Sequence, residues 1–380
     1  MARKPLAEQP IPPTPDYWSA WKRGLPTDPG FFPISVWLQA PEDAKAYRDA
    51  GINLFVGLFK GPTEEHLAFL READMKVICH QNEVGLKNAD DPVIAGWMHG
   101  DEPDNAQAKK DGGEGYDPCI DPKTVIERYN NWKTQDPTRP IYLNLGQGVS
   151  LTDWVGRGVC RGRTDMYPEY SKGADILSYD IYPVNSGYPE VQGNLYYVAD
   201  GVDNLREWSN YKKPVWCWIE CTKIGDRAHG SRKPTVAEVK SEVWMALVRG
   251  ATGFGYFCHE FGKNPKSNAP LSDPEMLAGI NAINMEVHNL AAVLNSPSVP
   301  SAAGVSSSST EVPVDIMVKQ HEDATYVFAV AMRKGKTTAA ITVSGGSNAE
   351  ALGEGRDLEL KDGVFEDSFE DYAVHLYKIS

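Results

Sequence analysis

The chain has 380 residues, of which 41% are hydrophobic and 24% charged, a globular balance that excludes a mainly disordered protein. Its formal net charge of −14 argues against nucleic acid as a partner, because an acidic surface repels a phosphate backbone but not a neutral polymer. No apolar run approaches the roughly 20 residues of a membrane span. The 10 Trp, 17 Tyr and 11 Phe fit either a large core or a set of flat platforms for ligands.

Eight short apolar runs follow one another along the first three quarters of the chain. Each is continuous rather than alternating, as expected of strands that are buried on both faces of a parallel sheet. The eight predicted strands are Phe32–Leu38, Ile52–Phe59, Met75–His80, Ile94–Gly100, Pro140–Leu145, Ile176–Tyr182, Pro214–Glu220 and Gly253–His259.

Helical patterns separate most of these strands. They cover Pro41–Ala50, Thr63–Ala73, Lys123–Thr134, Leu195–Ser209, Val236–Arg249 and Pro274–Leu294, while the third and fifth connections show no clear helix. Thr63 is a predicted N-cap, and Thr235 with Glu238 and Ser272 with Glu275 have capping-box spacing. Eight strand–helix units predict an α/β fold of the (β/α)8 TIM-barrel type. The competing doubly wound sheet is disfavoured because no G-x-G-x-x-G motif follows the first strand.

The composition divides the chain into four parts. Residues 1–30 form a Pro-rich N-terminal extension, and residues 31–295 form the predicted barrel. Residues 296–310 are rich in Ser and Pro, which predicts a linker. Short alternating runs separated by Gly- and Asp-containing turns follow in residues 311–380, which predicts a small antiparallel β-sandwich.

Two carboxylates end predicted strands, where a barrel of this type carries its active site. Glu102 follows the fourth strand and Glu220 ends the seventh, after five apolar or aromatic residues. Each alone has a plain structural explanation, as a loop acid before Pro103 or as a strand-end ion-pair partner. Together they predict a carboxyl pair across a common cleft, which is the minimal equipment for glycoside hydrolysis.

The sequence around these residues resembles clan A of the glycoside hydrolases. Asp101-Glu102-Pro103 stands where that clan usually has Asn-Glu-Pro. The resemblance implies Glu102 as acid/base, Glu220 as nucleophile, retention of configuration, and Tyr182 as a phenol hydrogen-bonded to the nucleophile. The order of barrel, DEP motif and β-sandwich is also similar to the bacterial endo-β-1,3-glucanases of family 158. A β-linked glucan is therefore the favoured substrate, and an exo-acting β-galactosidase is an alternative.

Seven other side chains at predicted strand ends are candidate substrate ligands. They are Trp37, His80, Asn82, Asp101, Asn144, Tyr182 and His259. For Trp37 a place in the core is an alternative, and His80 and Asn82 also fit a polar loop that covers the barrel. No C-x-x-C pair or H-E-x-x-H motif is present, so we expect no metal and no cofactor.

Two other classes of function compete with the hydrolase. The first is a glycan-binding protein on a degenerate barrel, which has no need of two strand-end acids. The second is an aldolase or phosphate-handling enzyme, which needs a Lys inside a strand or a Gly-rich phosphate loop after strands seven and eight. Lys223 and Lys263 lie beyond the strand ends, and no convincing phosphate loop is visible. The sequence leaves the oligomeric state open.

Six cysteines are present, and two differ from the rest in their surroundings. Cys119 and Cys160 lie in polar, Gly-rich stretches after strands four and five, whereas the other four lie in apolar runs. Because loops of neighbouring strands lie together, we expect a Cys119–Cys160 disulfide. That bond implies an oxidising compartment and export, with the signal peptide absent from the sequence as given.

Overall fold

The computed structural model describes residues 15–110, 112–152, 160, 162–225 and 231–380, and its centre is a closed barrel of eight parallel strands. The strands are β1 Ile34–Trp37, β2 Leu54–Val56, β3 Lys76–Cys79, β4 Ile94–Met98, β5 Ile141–Leu145, β6 Ile176–Asp180, β7 Val215–Glu220 and β8 Phe254–Phe257. Each is hydrogen-bonded to the next in sequence, and β8 closes onto β1. All eight predicted strands and the (β/α)8 fold are confirmed.

Helices surround the barrel on the outside. They are α1 Ala44–Asp49, α2 Glu64–Glu72, α3 Glu83–Lys87, α4 Pro122–Gln135, α5 Tyr167–Ser171, α6 Tyr197–Trp208, α7 Val236–Val248, α8 Pro274–Asn289 and α9 Ala291–Leu294. The third and fifth connections, for which the sequence predicts no clear helix, contain the short helices α3 and α5. The last predicted helix consists of two helices, because the helical conformation is interrupted at Leu290. None of the described helices is long and apolar enough to cross a bilayer.

Two of the three predicted helix starts are confirmed. The Thr63 hydroxyl accepts from the backbone N–H of His66, and Thr235 with Glu238 forms a complete capping box. The third prediction is wrong, because Asp273 rather than Ser272 caps α8. An Asp carboxylate there also benefits from the positive end of the helix dipole.

Aromatic side chains fill the interior of the barrel. Trp216 and Trp218 point inward from β7, and the ring of Trp18 lies 6.4 Å from that of Trp216. Trp18 belongs to the 3-10 turn Pro15–Ala20 of the predicted extension, and neighbouring Tyr17 donates to the carbonyl of Asp175, just before β6. The extension therefore closes the N-terminal end of the barrel, and the opposite end is left for polar side chains.

The C-terminal part is a sandwich of two antiparallel sheets. Its strands are β9 Ala303–Ser307, β10 Val314–His321, β11 Ala324–Ala331, β12 Thr337–Val343, β13 Asn348–Ala351, β14 Arg356–Glu359, β15 Val364–Phe369 and β16 Val374–Ile379. The sheet orders are β9-β12-β15 and β10-β11-β16-β13-β14. The sandwich is confirmed, but β9 lies within the predicted linker. The Ser- and Ala-rich composition of this segment does not predict a strand, yet β9 pairs with β12.

The sandwich packs against α7 and shares a hydrophobic core with the barrel. The ring of Trp244 lies 5.2 Å from that of Phe328, and the Ser241 hydroxyl donates to the carbonyl of Tyr372. The Tyr372 hydroxyl in turn donates to Gly193, in the long connection after β6, over 2.6 Å. The sandwich thus supports both the helix behind β7 and the connection after β6.

Candidate active site

A chain of hydrogen bonds leads from the barrel interior to its C-terminal mouth. The indole of Trp218 donates to Tyr142 over 3.1 Å, and the hydroxyls of Tyr142 and Ser178 are hydrogen-bonded. Ser178 donates to the amide oxygen of Asn144 over 2.6 Å, and the Asn144 amide donates to Asp101 over 2.9 Å. Strands β5 and β6 therefore fix the orientation of Asp101, and two predicted ligands, Asn144 and Asp101, lie in contact.

Glu102 has a strained backbone, with φ of +43° in the left-handed region that non-glycine residues rarely adopt. Its carboxylate accepts from the side-chain amide of Asn105 over 2.9 Å. A Cβ on Gly146, which follows β5, would lie 2.9 Å from the Glu102 carboxylate oxygen. The close approach of Gly146 therefore fixes where this carboxylate lies, at the mouth beside Asp101.

Asp180, the last residue of β6, is the carboxyl that contacts Glu102. Its exposed fraction is 9%, and its carboxyl is hydrogen-bonded to that of Glu102. Ionised carboxylates only accept hydrogen bonds, so this contact requires a proton on one of the two. Burial, followed by the charges of Glu102 and Asp101, raises the pKa of Asp180 well above its usual range. The Asp180–Glu102 pair therefore holds a proton to a higher pH than a free carboxyl does.

A further acid, Asp104, lies in the same loop as Glu102 and close to it. It accepts from the backbone N–H of Gly146 over 3.0 Å and from the Tyr167 hydroxyl over 3.1 Å. Loss of hydration, followed by the charge of Glu102, raises its pKa to about 7. Among the described residues, no group of three or more His, Cys, Asp or Glu side chains is arranged to hold a metal ion.

Glu220 ends β7 at the same end of the barrel but has no exposed surface. Its carboxylate accepts from the backbone N–H groups of Val184 and Asn185 and from the Asn185 side-chain amide. Tyr182, the implied donor, is not among its donors in the described part of the chain. Burial raises the pKa of Glu220 to about 7, although the Asn185 and Val184 hydrogen bonds oppose the rise.

A second buried glutamate, Glu242 of α7, contacts Glu220. It also has no exposed surface, and neither of its carboxylate oxygens meets a donor among the described residues. The side chains of Glu220 and Glu242 are within hydrogen-bond range of each other. Burial, followed by the charge of Glu220, raises the pKa of Glu242 well above its usual range. A shared proton is the arrangement that satisfies both groups.

The remaining predicted ligands lie around the mouth in two groups. Half-buried Tyr182 packs its ring 5.0 Å from that of Phe257, and the His259 ring nitrogen lies 3.1 Å from the carbonyl of Trp37. Burial lowers the pKa of His259, so it is neutral at pH 7. Trp37 is 4% exposed and packs edge-on against Trp218, in the core rather than as an open platform.

On the β3 side of the mouth, His80 and Asn82 have different surroundings. Asn82 caps α3, because its side-chain oxygen accepts from the N–H of Gly85 over 2.8 Å. Its amide nitrogen donates to the carbonyl of Pro62, so both polar atoms have structural partners. His80 is half-buried, and burial lowers its pKa, which leaves a neutral imidazole at the edge of the mouth.

The structure joins Cys119 and Cys160 in a disulfide, with the Cα atoms 6.0 Å apart. It links the loop after β4, which carries Glu102, to the loop after β5. The other cysteines, Cys79, Cys217, Cys221 and Cys258, are buried free thiols.

Sequence reasoning did not assign two residues to this site. Asp180 shares the inward face of β6 with Ser178, and this alternation was a readable signal. Glu242 lies three residues after Val239 and one before Val243, on the apolar stripe of α7, where a carboxylate is conspicuous. The donors Val184 and Asn185 lie in an irregular connection and gave no such signal.

No family model matches the chain, and no curated protein matches it. Among solved structures, it is similar to a family 30 endoxylanase from Clostridium papyrosolvens, with 11% identity and a TM-score of 0.48, covering 95% of this chain and 97% of that one. It is also similar to a family 39 glycoside hydrolase from Bacteroides cellulosilyticus, with 12% identity and a TM-score of 0.49, covering 93% and 82%. An α-amylase from Geobacillus thermoleovorans gives 11% identity and a TM-score of 0.46, covering 92% and 98%.

Proposed function

We propose that the protein is a retaining glycoside hydrolase of the clan A type that cleaves a β-linked glycan, with a β-glucan as the favoured substrate. Glu102 is the proposed acid/base and Glu220 the proposed nucleophile. The observation that carries the proposal is the group of carboxyls around Glu102, held by interior hydrogen bonds at the mouth of a filled barrel. A structural role alone does not explain why several acids lie together at this end.

The proposed reaction has two displacements. In the first, Glu220 attacks the anomeric carbon while Glu102 protonates the glycosidic oxygen, so the C–O bond breaks and a glycosyl ester forms. In the second, Glu102 takes a proton from water, which attacks the same carbon and releases Glu220. The N–H groups of Val184 and Asn185 favour the ionised Glu220 that the first step needs.

Asp180 is a second candidate for the nucleophile, because its carboxyl contacts that of Glu102 directly. The raised pKa of Asp180 argues against this role, because the nucleophile must be ionised. The proton that Asp180 shares with Glu102 is instead the one that the first displacement transfers to the glycosidic oxygen. The nucleophile assignment therefore needs an experiment that separates Glu220 from Asp180.

Azide rescue on an activated aryl β-glucoside separates these residues. In Glu220→Ala, azide enters the vacated space and gives the α-glucosyl azide by one displacement. In Glu102→Ala, azide intercepts the glycosyl-enzyme and gives the β-product by two displacements. We expect no α-azide from Asp180→Ala, and its formation there would move the nucleophile to Asp180. Circular dichroism confirms that each variant is folded.

The disulfide supports a proposed location in an oxidising, extracytoplasmic compartment. Within the hydrolase proposal, an exo-acting β-galactosidase is the alternative, and a panel of β-glucans and β-galactosides distinguishes the two. A protein that binds a β-glycan, releases no sugar, and binds equally well as Glu102→Ala and Glu220→Ala is a glycan-binding protein instead.

One cavity favours the phosphate-handling alternative, because it lies at the loops where such barrel enzymes bind phosphate. It has a volume of about 290 Å³, lies between the loops after β7 and β8, and is lined by Lys223, Lys233 and Lys266. However, Lys233 pairs with Asp273 over 2.6 Å, and Glu260 adds a second negative charge to the lining. Calorimetry with inorganic phosphate tests this alternative, and tight binding that is lost in Lys223→Met would favour it.

A further inference from the structure

The exposed aromatic side chains among the described residues lie in loops at one end of the barrel. Among the described residues, four large hydrophobic side chains are exposed: Phe59 at 71%, Tyr116 at 51%, Met285 at 46% and Phe261 at 45%. The three aromatic residues follow strands β2, β4 and β8 respectively, so they lie in loops at the C-terminal mouth. Met285 lies on α8, away from these loops. Single exposed apolar residues are ordinary, but this common location needs an explanation.

Each of the three rings has a defined place in its loop. The ammonium group of Lys60 lies 5.2 Å from the centre of the Phe59 ring. The ring of Phe261 is parallel to that of His259, with centres 6.0 Å apart. Tyr116 belongs to a two-stranded hairpin, Gln107–Ala108 with Tyr116–Asp117, just before the disulfide at Cys119.

The order of the barrel strands sets where the rings lie relative to Glu102. Strand β1 lies between β8 and β2, so Phe261 and Phe59 flank β1 on the rim. Strand β4 is opposite β8 in a ring of eight, so Tyr116 and Phe261 lie on opposite sides of the mouth. The three aromatic residues therefore follow strands that span half of the rim, and Tyr116 lies in the same loop as Glu102.

We propose that Phe59, Tyr116 and Phe261 are stacking platforms of an open cleft that binds several consecutive sugar units, so that the enzyme cleaves within a polysaccharide chain. This inference rests on the proposed hydrolase function. An aromatic face binds the C–H face of a sugar by burying apolar surface. The acids at the mouth, Asp101, Glu102 and Asp104, disfavour an anionic chain and favour an uncharged one.

The test compares a polymer with a small substrate. We expect Phe59→Ala and Phe261→Ala each to lower kcat/KM on a soluble β-1,3-glucan about 10-fold, as loss of one stacking contact of about 1.4 kcal/mol predicts. On an aryl β-glucoside the decrease is several-fold smaller, because that substrate is too short to reach the rim. Met285→Ala is the matched control, and it leaves both activities unchanged. Equal decreases on both substrates, or none on the polymer, would overturn the inference.

Binding separates this inference from the proposed function. Native electrophoresis through a gel that contains the β-glucan measures retardation without any turnover. Retardation that is lost in the Phe59→Ala/Phe261→Ala double variant supports the platforms even if no glycan is hydrolysed. Hydrolysis of the polymer together with unchanged retardation in the double variant contradicts the platforms and leaves the hydrolase intact. A change of oligomeric state in the double variant, seen by sedimentation, would identify the rings as a protein interface instead.

Discussion

Replacing Glu242 by Gln tests the buried carboxyl pair behind β7. In the native protein, burial raises the pKa of both Glu220 and Glu242, and the two side chains contact each other without exposed surface. In the unfolded chain both groups have pKa values of about 4.5 and are ionised at neutral pH. The native state therefore holds more protons than the unfolded state at any pH above 4.5, until each group reaches its own native pKa.

The sign of the effect follows from this difference. A group whose native pKa is raised stabilises the protein fully below its unfolded pKa, and that contribution is lost as pH rises. As the pH rises, each proton that the native state holds in excess of the unfolded state lowers the free energy of unfolding by about 1.4 kcal/mol per pH unit. For Glu220 this window runs from 4.5 to about 7, and the raised pKa of Glu242 makes it a second group whose contribution is lost as the pH rises. Since Gln does not titrate, Glu242→Gln removes one of the two contributions.

Urea unfolding at pH 5, 6 and 7, followed by Trp fluorescence, measures the slope. We expect wild-type stability to fall more steeply with rising pH than that of Glu242→Gln, with a difference in slope of up to about 1.4 kcal/mol per pH unit, the value for one proton. Glu65→Gln, on the exposed side of α2, is the control for the chemical change. Parallel slopes for wild type and Glu242→Gln would refute the raised native pKa of Glu242. The Gln amide still donates to Glu220, so the variant should retain activity, with the acid limb of its pH profile shifted to lower pH.

Three further predictions follow from single contacts. Gly146→Ala should lower kcat at least 10-fold with less than about 1 kcal/mol of destabilisation, because the new Cβ displaces the flexible end of Glu102; an unchanged kcat would contradict the placement of that carboxylate. Cys119→Ser should lower the free energy of unfolding by about 4 kcal/mol, the chain-entropy value for residues 41 apart, as measured by urea unfolding; six free thiols in the denatured, unreduced wild type would rule the bond out. Thr235→Ala should cost about 1 kcal/mol through loss of the α7 cap, whereas Ser272→Ala, at the incorrectly predicted cap, should cost much less.

The barrel was predictable because each of its strands is buried on both faces. Runs such as Pro214–Glu220 are continuous and apolar for that reason, and the helices between them begin at side chains whose capping chemistry is local, such as Thr63. The sandwich was predictable from its period of two. Strand β9 was missed because Ala303–Ser307 lies at the edge of its sheet and alternates between half-buried and exposed small residues.

The partners of the acids were less predictable than their positions. Strand order places Glu102 and Glu220 at one end of the barrel, and the sequence suffices for that. Which carboxyl each one contacts depends on the irregular connections after β4 and β6, whose conformation no local pattern encodes. The contacts of Glu102 with Asp180 and of Glu220 with Asn185 therefore emerge only from the folded chain.

The most direct test of the central claim is the anomeric configuration of the first product. Proton NMR during hydrolysis of a soluble β-1,3-glucan, recorded before mutarotation equilibrates the anomers, resolves it. The two-displacement mechanism at Glu102 and Glu220 predicts that the newly formed reducing end appears first as the β-anomer, and that Glu102→Ala forms it far more slowly. A first-formed α-anomer would contradict the retaining mechanism, and a wild-type protein that releases no reducing ends from any β-glycan would contradict the hydrolase itself.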